Sequence, residues 1–174
     1  MHITSEQATF LQGMFLPSLK NEHRLTAQVI AAIPLDKGGY RPDPVSKSAL
    51  ELAWHMASSE MRFMDAVLNG GFNLDSWPMP EHIMHSSELV AWYKENFELR
   101  FEALKAATPE QLMKIVDFRN MFQLPAVMYL NFTINHIIHH RGQLSVYLRP
   151  MGAKVPSIYG ESYDAAKARQ AANG

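Results

Sequence analysis

The sequence predicts an all-α fold, a four-helix bundle, and three observations carry that prediction. Four long stretches place apolar residues at helical spacing, and no two stretches read as convincing paired strands. Segments rich in Gly and Pro separate the helical stretches. Such a pattern buries its apolar faces helix against helix. At 174 residues the chain is long enough for one domain, residues 1–174, with a sizeable core.

The first helix is expected over residues 5 to 33. Thr4 and Gln7 form a capping-box pattern, and Phe10, Met14, Leu19, Ala27 and Ile30 supply its apolar positions. Pro17 falls inside it and should kink or split it. Residues 36 to 45 hold too many Gly and Pro for regular structure. Ser46 then offers an N-cap for a second helix that stops at Gly70-Gly71, with Leu50, Ala53, Trp54, Ala57, Met61 and Met64 on its buried side. A Pro-rich connection spans residues 72 to 84.

Ser86 or Ser87 opens a third helix running to Ala107, which buries Leu89, Trp92, Tyr93, Phe97, Phe101 and Leu104. Thr108-Pro-Glu-Gln111 predicts a short extra helix near 109–113. Residues 114 to 123 read equally as extended chain or loop. Pro125 suits the first turn of a long fourth helix ending near Arg149-Pro150. The polar, Ala-rich residues 162–174 form either a frayed tail or a terminal helix.

Composition narrows the function. A net charge of -1 gives no electrostatic reason to expect nucleic acid as a partner. No apolar run reaches the roughly 18 residues that a membrane span needs. The first residues lack the basic and apolar regions of a signal peptide, so a cytoplasmic location is expected. With no cysteine, disulfides, thiolate ligands and a cysteine nucleophile are all excluded. Any metal must be held by histidine, carboxylate or water.

Histidine is where the sequence points to chemistry. Residues 136 to 140 contain three of the eight histidines: His136, His139 and His140. Residues four apart on a helix differ by about 40° around its axis, so His136 and His140 share a face that suits one divalent ion. His139 points elsewhere. His55, in the middle of the second helix, is a third candidate, because bundle cores build metal sites from facing helices. Glu51, Ser59 and Arg62 lie on the His55 side of that helix. There is no His-Glu-x-x-His motif and no Glu-x-x-His pair. What is left is one metal, three imidazoles and open positions for a ligand. The plainer alternative is a set of hydrogen-bonded or exposed histidines in a helical interaction module.

Asn135-His-Ile-Ile-His-His-Arg-Gly-Gln143, with Leu144 and Met151-Gly-Ala-Lys-Val-Pro156 after it, resembles the closing helix of the DinB/YfiT-like superfamily. Leu52-Ala-Trp-His-Met-Ala-Ser-Ser-Glu60 is similar to that family's first histidine segment, and Tyr40-Arg-Pro42 to its approach. The likeness covers residues 5 to about 160, and its specific part is the two histidine segments. It implies a four-helix bundle, often a homodimer, with one divalent metal (zinc, nickel, iron or manganese) held by His55, His136 and His140. It also implies action on a small-molecule substrate, by thiol-dependent S-transfer with an external low-molecular-weight thiol or by hydrolysis. The alternative is a stress-related, non-catalytic bundle that binds a metal or small ligand.

Catalytic groups are not identified by the sequence; Glu51, Ser59 and Gln143 are the weak candidates. His139 is expected to orient a ligand or, more simply, to bond a neighbouring segment. Arg141 is expected to pair with a carboxylate at an interface or bundle end, and Gly142 to let helices approach. His23 is taken as a surface residue by default; His2, His82 and His85 are given no role.

Overall fold

The computed structural model describes residues 2–73 and 75–173; positions 1, 74 and 174, which fall in the expected domain, connection and tail, lie outside them. Six helices and one hairpin follow in order: α1 (Ser5–Ala31), α2 (Ala49–Asn69), α3 (Ser86–Lys105), α4 (Pro109–Met113), β1 (Ile115–Phe118), β2 (Phe122–Pro125), α5 (Met128–Leu148) and α6 (Tyr163–Ala172). The four long helices form a ring in which α1 and α2 each pack against both α3 and α5. Leu19, Ile30, Met61, Met64, Leu89, Leu104, Leu130 and Leu144 meet inside it, all fully or almost fully buried. None of the described helices is long and apolar enough to cross a membrane.

Local chemistry sets the helix ends. The expected Thr4–Gln7 capping box opens α1, with Gln7 N donating to Thr4 Oγ1 at 3.2 Å. Pro17 neither splits nor ends this helix, because the buried Leu16 and Leu19 beside it hold the helix to the core. The second helix is capped by Ser48, not Ser46. Ser48 has Glu51 three residues on, and the two close a reciprocal capping box at 2.8 and 3.2 Å. Ser46 is instead drawn into a turn by Asp43, whose carboxylate accepts its N–H at 3.0 Å.

Gly70 ends α2 in the left-handed conformation, φ 70° and ψ 36°, and a Cβ there would lie 2.3 Å from Lys114 Cδ. The left-handed backbone opposes a side chain, whereas the exposed end of Lys114 can swing aside. Gly70→Ala is therefore expected to lose about 1 kcal/mol or more, read as a lower urea midpoint at unchanged slope.

The hairpin corrects the expectation that no strands pair. β1 and β2 are antiparallel, with Ile115 opposite Pro125 and Phe118 opposite Phe122. Each strand has only four residues, too few for an alternation to stand out. Pro125 ends β2 rather than starting the last helix; α5 begins three residues later. The hairpin packs on the bundle through aromatic rings, with Phe118 and Phe72 at 5.0 Å, and Tyr129 Oη donates to Val116 O at 2.9 Å. The C-terminal stretch is a helix, α6, capped by Ser162 Oγ, which accepts from Ala165 N at 3.2 Å.

Candidate metal centre

Helices α2 and α5 lie side by side, so His55 on one faces His136 and His140 on the other. One ring nitrogen from each residue comes within 4.8 Å of the others. The ring centroids are 5.0 Å apart for His55–His136, 4.6 Å for His55–His140 and 4.5 Å for His136–His140. His55 Nε2 and His140 Nε2 are 3.2 Å apart. Zinc holds imidazole nitrogens at about 2.0–2.1 Å, which in a tetrahedral shell separates them by roughly 3.4 Å. The His55–His140 spacing fits such an ion.

Two further observations fit the same group. His136 Nδ1 is buried and has no hydrogen-bond partner among the described residues, an arrangement folded proteins otherwise avoid. His140 Nδ1 lies 2.6 Å from Gln143 Oε1. A carbonyl oxygen only accepts, so this bond places the proton on Nδ1 and leaves Nε2 with its lone pair turned to the cluster.

The electrostatics keep the three rings neutral. Burial lowers the His55 pKa to about 4, helped by His140, Lys47 and Arg62. Burial likewise lowers His136 to about 3, helped by His140, His55 and His139. His140 is lowered by burial, against the Gln143 bond that favours its charged form. Neutral imidazole is the form that binds a cation.

These shifts predict a pH dependence for the metal-free protein. The folded pKa values lie below the ordinary histidine value of 6.5, so the unfolded chain takes up protons first as pH falls. Stability is then full above about pH 6.5 and declines as pH drops toward the folded values. Since the rings keep some water contact, the slope stays below the limit of about 1.4 kcal/mol per pH unit for one proton. A Tm decrease of roughly 3–6 °C is expected between about pH 7 and pH 5. The His55→Ala/His136→Ala double variant should lose most of that decrease.

A cavity of about 700 Å³ opens beside His55, between α2, the 41–47 loop, the 72–79 connection and the hairpin. Trp54 and Trp77 wall one side, and Trp54 Nε1 donates to Trp77 O at 3.1 Å. Ser59 and Glu51 also line it. Among the described residues Glu51 is the only carboxylate there, yet it serves the α2 cap and pairs with Arg41 at 2.8 Å. Backbone and side-chain bonds with Ser48, followed by Arg41, hold its pKa below the ordinary carboxylate range. A carboxylate so held is a poor proton acceptor.

Other expected residues are placed differently. His139 is exposed, its ring 4.8 Å from that of His140, and it makes no hydrogen bond among the described residues. Gly142 is exposed too, and a Cβ there would meet nothing within 4 Å, so it serves no close helix packing. Gln143, a weak catalytic candidate, is exposed and holds the His140 ring. His23 is buried, not at the surface: its Nδ1 is 3.3 Å from Glu60 Oε2, and its ring stacks on Phe97 at 3.7 Å. Arg141 is buried against Glu22 at 2.7 Å, inside the bundle rather than at its end. His85 does have a part, as the residue before α3 whose N–H the Glu88 carboxylate accepts at 2.6 Å.

The fold and site together define a helical bundle whose facing helices bring three imidazoles within reach of a single metal ion. The DinB family model matches residues 5–171, so the chain belongs to the DinB family. Its sequence is 30% identical to Bacillus subtilis YjoA over 133 residues, covering 75% of this chain and 84% of that one. It is 31% identical to B. subtilis YrdA over 112 residues, covering 63% and 64% of the two chains. The crystal structure of the DinB-like YjoA superposes with a TM-score of 0.68 at 24% identity, over 84% of this chain and 99% of YjoA. A DinB-like protein from Bacillus cereus superposes at 0.70 and 25% identity, over 83% and 95%.

Proposed function

We propose that the protein binds one divalent metal ion through His55, His136 and His140 and acts on a small molecule as a thiol-dependent S-transferase. The observation that carries the metal reading is the convergence of three neutral imidazole nitrogens within 4.8 Å, beside an open cavity. When bound, such an ion supplies Lewis acidity and eases ionisation of a thiol or water.

The surroundings favour a thiol over water as nucleophile. Among the described residues the cavity holds no free carboxylate, and Ser59 is a weak base. A thiol ionises at about 8.5 unaided and would lose its proton outright on such an ion, whereas water there would still have a pKa of about 7–9, so a site without a base suits the thiol. The chain has no cysteine, so that thiol comes from a second small molecule. Its S–H proton passes to solvent, its sulfur forms the new bond to an electrophilic carbon, and the leaving group departs with its electron pair. Trp54 and Trp77 exclude water from one side of that encounter.

The test is a turnover screen with zinc-, nickel-, iron- and manganese-loaded protein. Electrophiles are offered with and without a small thiol, alongside ester and amide substrates. Metal-dependent thioether formation that disappears in His55→Ala supports the transferase. Ester or amide cleavage without thiol moves the reading to hydrolysis. Metal uptake with no turnover in either arm leaves a binding protein, the reading that the lack of a base near the imidazoles favours second.

A further inference from the structure

The lining of the cavity beside His55 is strongly one-sided in charge. Arg41, Lys47, Arg62 and Arg119 face a single carboxylate, Glu51, and that carboxylate is paired with Arg41. Among the described residues, Lys47, Arg62 and Arg119 have no carboxylate partner. Asp65, near Arg62 along the helix, is held by Arg100 at 2.8 Å. Arg62 gives one N–H to Asp75 O at 2.6 Å and lies over the Trp77 ring at 5.8 Å, which leaves further donors. It also stands seven residues after His55, so the two share a helix face.

Arg119 carries a second, independent signal. It occupies the hairpin turn with φ 55°, followed by Asn120 with φ 58°, and Met121 N donates to Phe118 O at 3.0 Å to close the turn. Left-handed turn positions of this kind favour Gly, Asn or Asp; Asn120 fits, and arginine does not. The hydrogen bonds of the turn do not use the guanidinium, which lies 5.8 Å from the centre of the Phe118 ring. Asp117 stabilises the turn, accepting from Asn120 N at 2.9 Å and Gln123 Nε2 at 3.4 Å. A strained long cation over a cavity beside a candidate reactive centre points to recognition rather than folding.

We infer that the cavity selects a small organic acid. Its oxyanion head is held by Arg119, Arg62 and Lys47, and its apolar body lies against Trp54, Trp77 and Phe118. This rests on the reading that the histidine centre serves a small-molecule reaction, and it names the class of molecule served. Arginine suits the role, since its planar donors match two oxygens of a carboxylate or phosphate. A neutral analogue would leave three cations facing it without compensation, which opposes its binding.

The experiment titrates benzoate, phenyl phosphate and the neutral benzamide into metal-free and zinc-loaded protein, read by the fluorescence of the cavity tryptophans. At low salt, the tighter of the two anions should bind at least about tenfold better than benzamide, in both forms, and high salt should shrink the difference. Arg119→Gly should lose about tenfold in anion affinity with benzamide unchanged, and without any fall in Tm, because glycine relieves the turn. Arg119→Lys should keep part of the preference. Equal binding of anion and amide, no binding of either anion, or an unchanged preference in Arg119→Gly overturns the inference. The metal reading is separable: zinc uptake without anion preference defeats only the acid-selective cavity. Anion preference in a protein that takes up no metal defeats only the metal centre.

Discussion

His136→Ala should take metal uptake from near one ion per chain to a small fraction of that, with an affinity loss of more than about a hundredfold. The scale follows from outer-sphere cases, where removing a hydrogen bond to a ligand already costs about 10–100-fold; deleting the imidazole itself removes a bond to the ion. His136 is the most deeply desolvated of the three, with its pKa near 3, so it stays neutral and ready to bind over the widest pH range. His55→Ala should behave alike. Gln143→Ala should cost only about tenfold, since it frees the His140 ring without deleting it. His139→Ala should change nothing, its ring being exposed. A stability readout runs in parallel. An ion at a thousand times the parent's Kd adds about 4 kcal/mol to the parent by mass action and, after a hundredfold or greater loss of affinity, no more than about 1.4 kcal/mol to His136→Ala. Parent-like metal content in that variant would sink the three-histidine centre.

How far the sequence could be read depended on how local each determinant was. The pair His136–His140 was legible because helical geometry alone puts residues four apart on one face. His55 was legible as a candidate from its place in the middle of α2, and as the third ligand from the resemblance of its segment, since nothing in the spacing says that α2 and α5 are neighbours. The caps were read from short patterns, and the one misplacement, Ser46 for Ser48, came from overlooking Glu51 three residues after the true cap. Glu51 was a catalytic candidate from its place on the His55 side of α2, and its carboxylate in fact closes the capping box. The hairpin escaped because its turn, Arg119-Asn120, lacks the glycine that usually marks such turns. Buried charges escaped for a more general reason. Glu22, His23 and Glu60 look like ordinary polar helix positions, and their burial follows from partners on other helices, 37 residues away in the case of His23 and Glu60. Arg141 could have signalled this: its polar side chain directly follows His140 and so points about 100° away, toward another helix rather than toward the metal cluster.

Arg141→Ala is the second large effect, and it is on folding. The guanidinium is almost completely buried, 2.7 Å from Glu22 Oε2, and it also donates to Glu22 O at 3.3 Å, Thr26 Oγ1 at 3.4 Å and Tyr159 Oη at 2.6 Å. Tyr159 Oη in turn donates to Glu22 Oε2 at 2.8 Å, so the carboxylate is satisfied from two sides. Deleting the arginine leaves that carboxylate buried with only the Tyr159 hydroxyl to satisfy it, in a bundle that also buries Glu60, one of whose oxygens has no partner among the described residues while the other takes bonds from His23 and Tyr93. Breaking a buried ion pair from one side costs about 3–5 kcal/mol, which for a chain of this size lowers Tm by roughly 6–20 °C. Removing both charges should be far milder: Glu22→Met/Arg141→Met replaces the pair with apolar bulk and should recover most of the loss. The contrast locates the penalty in the uncompensated carboxylate rather than in lost packing. It also bears on the metal centre, because Arg141 ties α5 to α1 next to the residue that His140 occupies. If the pair serves only to neutralise buried charge, the double variant should take up metal as the parent does. If it also sets the position of α5 against its neighbours, metal affinity should stay low in the double variant even as Tm returns. An Arg141→Ala protein as stable as the parent would contradict both.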